Sequence, residues 1–280
     1  MSSETEARAG VDGRPVALWA TLAVVLGGAF VLAPRWLAGS VPGGGIGDEG
    51  DVRNALRAGF VEYWGSGDRA LTPALTATVE YWSRYHLAKA VLAGLLVIVL
   101  VALAVQLWRA FLVAERPVRL GMVSALVTLP ALFVVVATMA NIQGVVAPYA
   151  STLPMMTEPP VDPALAGVLD QLVANLEAAV QTDAAMLPAV TVLLDDFVLY
   201  HQAMIVIACG TAVAFAVAGA LLWRLRARAG AGDRRARRTF AALAAVTGAA
   251  AAVSAVVALA NITTVADPAP ALLALFAGSW

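Results

Sequence analysis

Five long apolar runs dominate the pattern of the chain: Val16 to about Ala38, Tyr85 to Trp108, Leu120 to Asn141, Tyr200 to Trp223 and Phe240 to Asn261. Each approaches or exceeds the roughly 20 apolar residues needed to cross a bilayer as a helix, so the pattern predicts an all-α membrane protein with about five transmembrane helices. The polar stretches between the runs are unequal. Those before Val16, from Arg109 to Arg119 and from Arg224 to Arg238 are short and hold most of the arginines. By the positive-inside rule these face the cytoplasm. The stretches Gly39 to Arg84 and Gln143 to Leu199 are longer, and the second carries Glu158, Asp162, Asp170, Glu177, Asp183, Asp195 and Asp196 without one Lys or Arg. The expected arrangement is a plasma-membrane protein with a cytoplasmic N-terminus, residues 1–15, and an extracytoplasmic C-terminal tail, Thr263 to Trp280.

The first run, 16–38, has the look of a signal peptide, since Arg14 precedes it and small residues follow. Its apolar stretch exceeds the usual length of about 7 to 15 residues, and Pro34 and Arg35 occupy the place where cleavage would fall. It reads as a retained anchor. Within the outer stretches, Leu165, Val168, Leu169, Leu172, Val173, Leu176 and Val180 recur at helical spacing, with Pro163 suited to the first turn. Leu56, Phe60, Val61 and Trp64 make a shorter stripe of the same kind. Two amphipathic helices are expected, packed on the bundle or lying at the outer interface.

An offset of 115 residues places Glu62 on Glu177, Asp68 on Asp183, Pro73 on Pro188, Tyr85 on Tyr200, His86 on His201, Trp108 on Trp223 and Arg109 on Arg224. After the arginine-rich connection the offset becomes 120 and superimposes Ala140-Asn141-Ile142 on Ala260-Asn261-Ile262, Val145 on Val265 and Pro148 on Pro268. Alignment of the rarest residues in this way is the mark of an internal repeat. Residues 39–150 form the first unit, with the hairpin 85–108/120–141, and residues 151–280 the second, with the hairpin 200–223/240–261. Both enter and leave on the same side, so the expectation is a pseudo-twofold four-helix bundle about an axis along the membrane normal. Ala88, Gly94, Gly210, Ala214, Gly219, Gly248 and Ala252 are small enough to permit close helix approach.

Composition narrows the function. The chain is 61% hydrophobic and 13% charged with a net charge of -1, far more apolar than a soluble domain, and nothing points to nucleic acid. The one cysteine, Cys209, lies mid-run and reads as a small packing residue. The single lysine, Lys89, and the abundance of Ala, Val and Gly suggest an actinobacterial genome. No phosphate-binding glycine loop, nucleophile elbow, His-Glu-x-x-His or paired-cysteine motif is present in the sequence.

The candidate ligand-binding residues are His86, Lys89, Asn141, His201 and Asn261. Because His86 to Trp108 spans about 34 Å as a helix, His86 and Asn141 fall at the outer ends of neighbouring antiparallel spans, and His201 and Asn261 do the same. The simpler reading is that each histidine bonds an Asn side chain or a carbonyl and fixes hairpin register. The sharper reading makes His86 and His201 ligands of a metal, as copper or haem. Lys89, one turn below His86 and aligned with Met204, is expected to snorkel or to pair with Glu80, Asp195 or Asp196. None of the five runs contains Asp or Glu, which argues against ion-coupled transport. Pro130 is expected to kink its helix. Trp108-Arg109 and Trp223-Arg224 read as interfacial anchors, and Arg234 to Arg238 as a cluster able to attract anionic lipid.

The Tyr85-His86 start, the Leu-Trp-Arg-Ala-Phe corner at Leu107 to Phe111 and the Met-Ala-Asn-Ile-Gln-Gly end at Met139 to Gly144 resemble multi-pass membrane proteins of Streptomyces and related actinobacteria, a group with no assigned activity. The resemblance therefore implies no function. The residues favour a non-enzymatic membrane protein that binds a partner protein, a lipid or a small apolar molecule. The alternatives are a haem- or copper-binding redox protein and a small exporter or channel.

Overall fold

The computed structural model describes residues 13–182 and 184–278. The N-terminal stretch before residue 13, Asp183 with its correspondence to Asp68, and Trp280 lie outside the described residues. Ten α-helices and one 3-10 turn are present among the described residues, and no strand. Five helices are long and apolar enough to cross a membrane.

Two compact units divide the chain, with residues 13–32 and 90–138 in one and residues 33–89 and 139–278 in the other. In the first, α1 (Gly13–Leu32) accompanies most of α4 (Pro73–Val113) and α5 (Val118–Val146). Leu96 and Leu100 of α4 bury against Ala131 of α5, with Ala23 and Leu26 of α1 alongside. The indole of Trp108 donates to Thr128 Oγ1 at 3.1 Å, and the Phe111 ring lies where a Cβ on Gly121 would come within 2.9 Å. Pro130 is accommodated inside α5, which runs on through it.

The second unit has a polar headpiece at one end. α2 (Pro34–Ala38), α3 (Glu49–Ser66), the 3-10 turn Ala150–Thr152, α6 (Leu153–Thr157), α7 (Pro163–Thr182) and α10 (Pro268–Phe276) gather around the first turns of α4 and of α8 (Pro188–Arg228). Local chemistry sets the helix starts. Asp48 and Asp51 close a reciprocal capping box on α3, at 2.9 and 3.2 Å, and Asp162 accepts from the Ala164 and Leu165 amides at the start of α7. The amphipathic stripes then meet: Leu56 and Phe60 of α3 and Leu165, Leu172 and Leu176 of α7 are at most 1% exposed. Each such side chain stabilises the fold by about 2 kcal/mol. These helices form a packed core with one another. α3, with Glu49, Asp51, Arg53, Arg57 and Glu62 on a single helix, is too charged to lie in hydrocarbon.

Several sequence expectations are corrected. The first span ends at Leu32, because Pro34 starts the separate helix α2, whose Pro34 and Ala38 are buried with the headpiece. The hairpin helices begin twelve residues before Tyr85 and Tyr200: α4 and α8 are each 41 residues, about 60 Å long against a hydrocarbon thickness of about 30 Å. Their early turns carry Leu75, Tyr81, Val190 and Leu193 into the headpiece core, where burial replaces the charge pattern expected of a loop. The C-terminal tail is not merely a tail, since α10 packs on α7 and α8 and buries Leu272 completely. Cys209 is exposed on α8, facing outward from its own helical pair. α8 and α9 (Arg234–Ala266) run together as a hairpin. Gly219 is the close-approach residue there, its Cβ position 3.0 Å from Thr247 Oγ1, whereas Gly94, Gly210 and Gly248 have open space beside them.

Candidate functional site

The two histidines of the sequence make the same bond. His86 Nδ1 lies 2.9 Å from Asn141 Oδ1, and His201 Nδ1 lies 2.6 Å from Asn261 Oδ1. The Asn261 amide nitrogen donates to Val257 O at 2.8 Å, which keeps its oxygen on the imidazole. A carbonyl oxygen only accepts, so each imidazole donates from Nδ1 and carries its lone pair on Nε2. That tautomer is the one in which a histidine accepts a hydrogen bond or binds a metal through Nε2.

Aromatic rings hold each imidazole. Trp82 meets His86 edge to face at 4.7 Å and stacks on Tyr85 at 5.1 Å, and the Trp82 indole donates to Ser151 Oγ at 3.0 Å. Phe197 meets His201 at 4.5 Å, and the Tyr200 ring lies edge-on to it, as Tyr85 does to His86. Beneath His86 lies Gly144, where a Cβ would stand 2.7 Å from the ring. Its Nε2 is buried and without a hydrogen-bond partner. Asn141 is 6% exposed, whereas Asn261 is only half-buried.

The expected Lys89 partners are engaged elsewhere. Glu80 lies 3.8 Å from Arg84, Asp195 3.5 Å from Arg69, and Asp196 accepts the Ala150 amide at 2.6 Å. The Lys89 ammonium stands over the Tyr85 ring, 5.3 Å from its centroid, a contact the aromatic quadrupole favours. Gln143, 4% exposed, donates to Tyr200 O at 3.0 Å and so ties the end of α5 to the Tyr-His turn of α8.

Sequence reasoning passed over Arg57. This buried guanidinium donates to Met155 O at 2.9 Å, to Pro160 O at 2.7 Å and to Glu158 O. Beside it Arg53 pairs with Glu158 at 2.9 Å. The two arginines line a cleft of about 710 Å³ together with Asn54, Val61, Val161 and Asp162. Its only sequence signal was a charge interrupting the α3 stripe. Tyr149 is likewise buried, with its hydroxyl unpartnered, and burial pushes that phenol well above its ordinary pKa, aided by Tyr63 and Asp196.

Among the described residues no three or more His, Cys, Asp or Glu side chains converge in a way that would hold a metal. The chain matches no protein-family model, no curated protein and no solved structure.

Proposed function

We propose that this is a non-enzymatic multi-pass plasma-membrane protein, built from two tandem copies of one hairpin unit, which works by binding a partner protein, a lipid or a small apolar molecule. The observation carrying this reading is that the buried and half-buried polar groups serve as structural ties. His86 and His201 lock onto Asn141 and Asn261, Asp196 holds a backbone turn, and Arg57 clamps three carbonyls. The duplication is supported by the equal 41-residue helices at an offset of 115 and by the same Nδ1···Oδ1 bond in each copy. The arginine-rich connections face the cytoplasm and the headpiece faces out, with the cleft beside Arg53 and Val61 as its recess for a partner.

Cysteine labelling tests the arrangement. In a Cys209→Ala background, Ser66→Cys should react with a membrane-impermeant maleimide on intact cells, and Ala231→Cys only after permeabilisation. The reverse result would overturn the orientation. Turnover by the purified protein that disappears in His86→Ala or His201→Ala would overturn the non-enzymatic reading.

A second reading, a haem- or copper-binding redox protein, is favoured by the lone pairs on the two Nε2 atoms and by the buried, unpartnered one of His86. It predicts a Soret band or bound copper that is lost in either histidine variant. A colourless, copper-free preparation removes it.

A further inference from the structure

The end of α8, the start of α9 and the short connection between them carry Arg224, Arg226, Arg228, Arg234, Arg235, Arg237 and Arg238 against one acidic residue, Asp233. Asp233 is turned to the start of α9, where its carboxylate accepts the Ala236 amide at 2.9 Å. Four of the arginines, Arg226, Arg234, Arg237 and Arg238, line a recess of about 390 Å³ floored by Ala231 and Ala241. None of the four forms an ion pair among the described residues. Four guanidiniums around one recess repel each other unless an anion sits among them.

A second recess, of about 520 Å³, lies next to the first on the same helical pair. It shares Ala241 and is walled by Ala220, Trp223, Ala245 and Gly248. Apart from Trp223 and Arg224 at its end, its lining is alanine and glycine, and from Ala216 to Arg224 it follows α8 for about 12 Å. Trp223 lines this second recess, and the guanidinium of Arg226, which lines the first, stands 4.3 Å above its ring. A cationic recess next to an apolar groove on membrane-crossing helices has one complementary occupant: a molecule with a phosphate at one end and a hydrocarbon chain at the other.

We propose that the α8–α9 hairpin binds an anionic phospholipid, its phosphate among Arg226, Arg234, Arg237 and Arg238 and an acyl chain along the groove beside Ala220 and Ala245. This deepens the lipid arm of the function proposed above and rests on α8 and α9 lying in the bilayer. Arginine suits the headgroup because its planar fork of donors meets phosphate oxygens two at a time. The groove gives the site what a basic cluster lacks, a dependence on the chain as well as on the charge.

Full-length protein in nanodiscs of phosphatidylcholine with a minority of phosphatidylglycerol, released into the gas phase for native mass spectrometry, tests the site. Wild type should retain phosphatidylglycerol above its bulk share. The triple variant Arg234→Gln/Arg237→Gln/Arg238→Gln, which keeps Arg224, Arg228 and Arg235 for orientation, should lose that enrichment by roughly tenfold or more. Ala220→Leu/Ala245→Leu, which fills the groove and leaves every charge, should lose it too, with helical content and gel-filtration profile unchanged. Equal enrichment in all three proteins, or loss in the arginine variant alone, overturns the site, the latter because it leaves only diffuse attraction. Release of the wild type from membranes by alkaline carbonate would overturn the membrane reading as well.

Discussion

His86 and His201 donate to asparagine through the same atom, yet their surroundings differ at nearly every neighbour. Gly144 lies under the first ring; at the offset of 120 that carries Asn141 onto Asn261 stands Thr264, whose hydroxyl turns back to Ala260 O at 3.2 Å. Trp82, tied to Ser151, stands at the first; Phe197, which has no donor, stands at the second. Lys89 sits over Tyr85 in the first, and Met204 takes its place in the second. The bond itself thus needs little beyond two helices in register, since apart from the edge-on Tyr85 and Tyr200 rings the two surroundings differ. What the neighbours decide is how dry the pair is and how closely the backbones approach.

The sharpest way to break this contrast is Gly144→Ala. Its new Cβ would meet the His86 ring at 2.7 Å, so α5 or the ring must shift, and a loss of about 1–3 kcal/mol is expected from overpacking. Thr264→Ala should leave thermal unfolding in detergent nearly unchanged. If the two variants melt alike, the first ring is not seated on Gly144.

Next in size, Asn141→Ala leaves a buried imidazole N–H without an acceptor, a cost of about 1–3 kcal/mol. Asn261→Ala, at a half-exposed site that water can reach, should cost less than half as much. A double-mutant cycle with His86→Ala should return a coupling of about 1 kcal/mol or more for the first pair. A coupling near zero would show that the bond contributes nothing. Trp82→Phe makes the first site resemble the second and removes the Ser151 bond, for a loss of about 1 kcal/mol on top of lost packing area. Smallest of all, Lys89→Met should change stability by less than about 1 kcal/mol, because the cation–π contact it removes is offset by relief of a partly buried charge. A larger loss would give Lys89 a partner that matters more than the Tyr85 ring.

The membrane helices were legible because their cause is local: a run of apolar residues must be satisfied by its own helix in lipid, whatever else the chain does. The place of the two histidines and two asparagines was legible too, because their spacing along apolar runs puts them at the ends of neighbouring antiparallel helices, where each histidine bonds an asparagine. Arg57, Asp196 and Gly144 gave almost no such signal. Each matters because of a residue that is remote in sequence, such as Pro160, Ala150 or His86, and no periodicity encodes a partner many turns away. The twelve-residue extensions of α4 and α8 were missed for the same reason: their Glu80, Asp195 and Asp196 look like loop chemistry until Leu75, Tyr81, Val190 and Leu193 are found packed against α3 and α7. Sequence alone therefore determined that this chain has five helices long and apolar enough to span a bilayer, since water expels those runs irrespective of tertiary context. Only the folded structure decided that the polar segments close into a headpiece core and that each histidine takes the asparagine rather than a carbonyl, because burial and hydrogen-bond geometry are set by which distant surfaces meet.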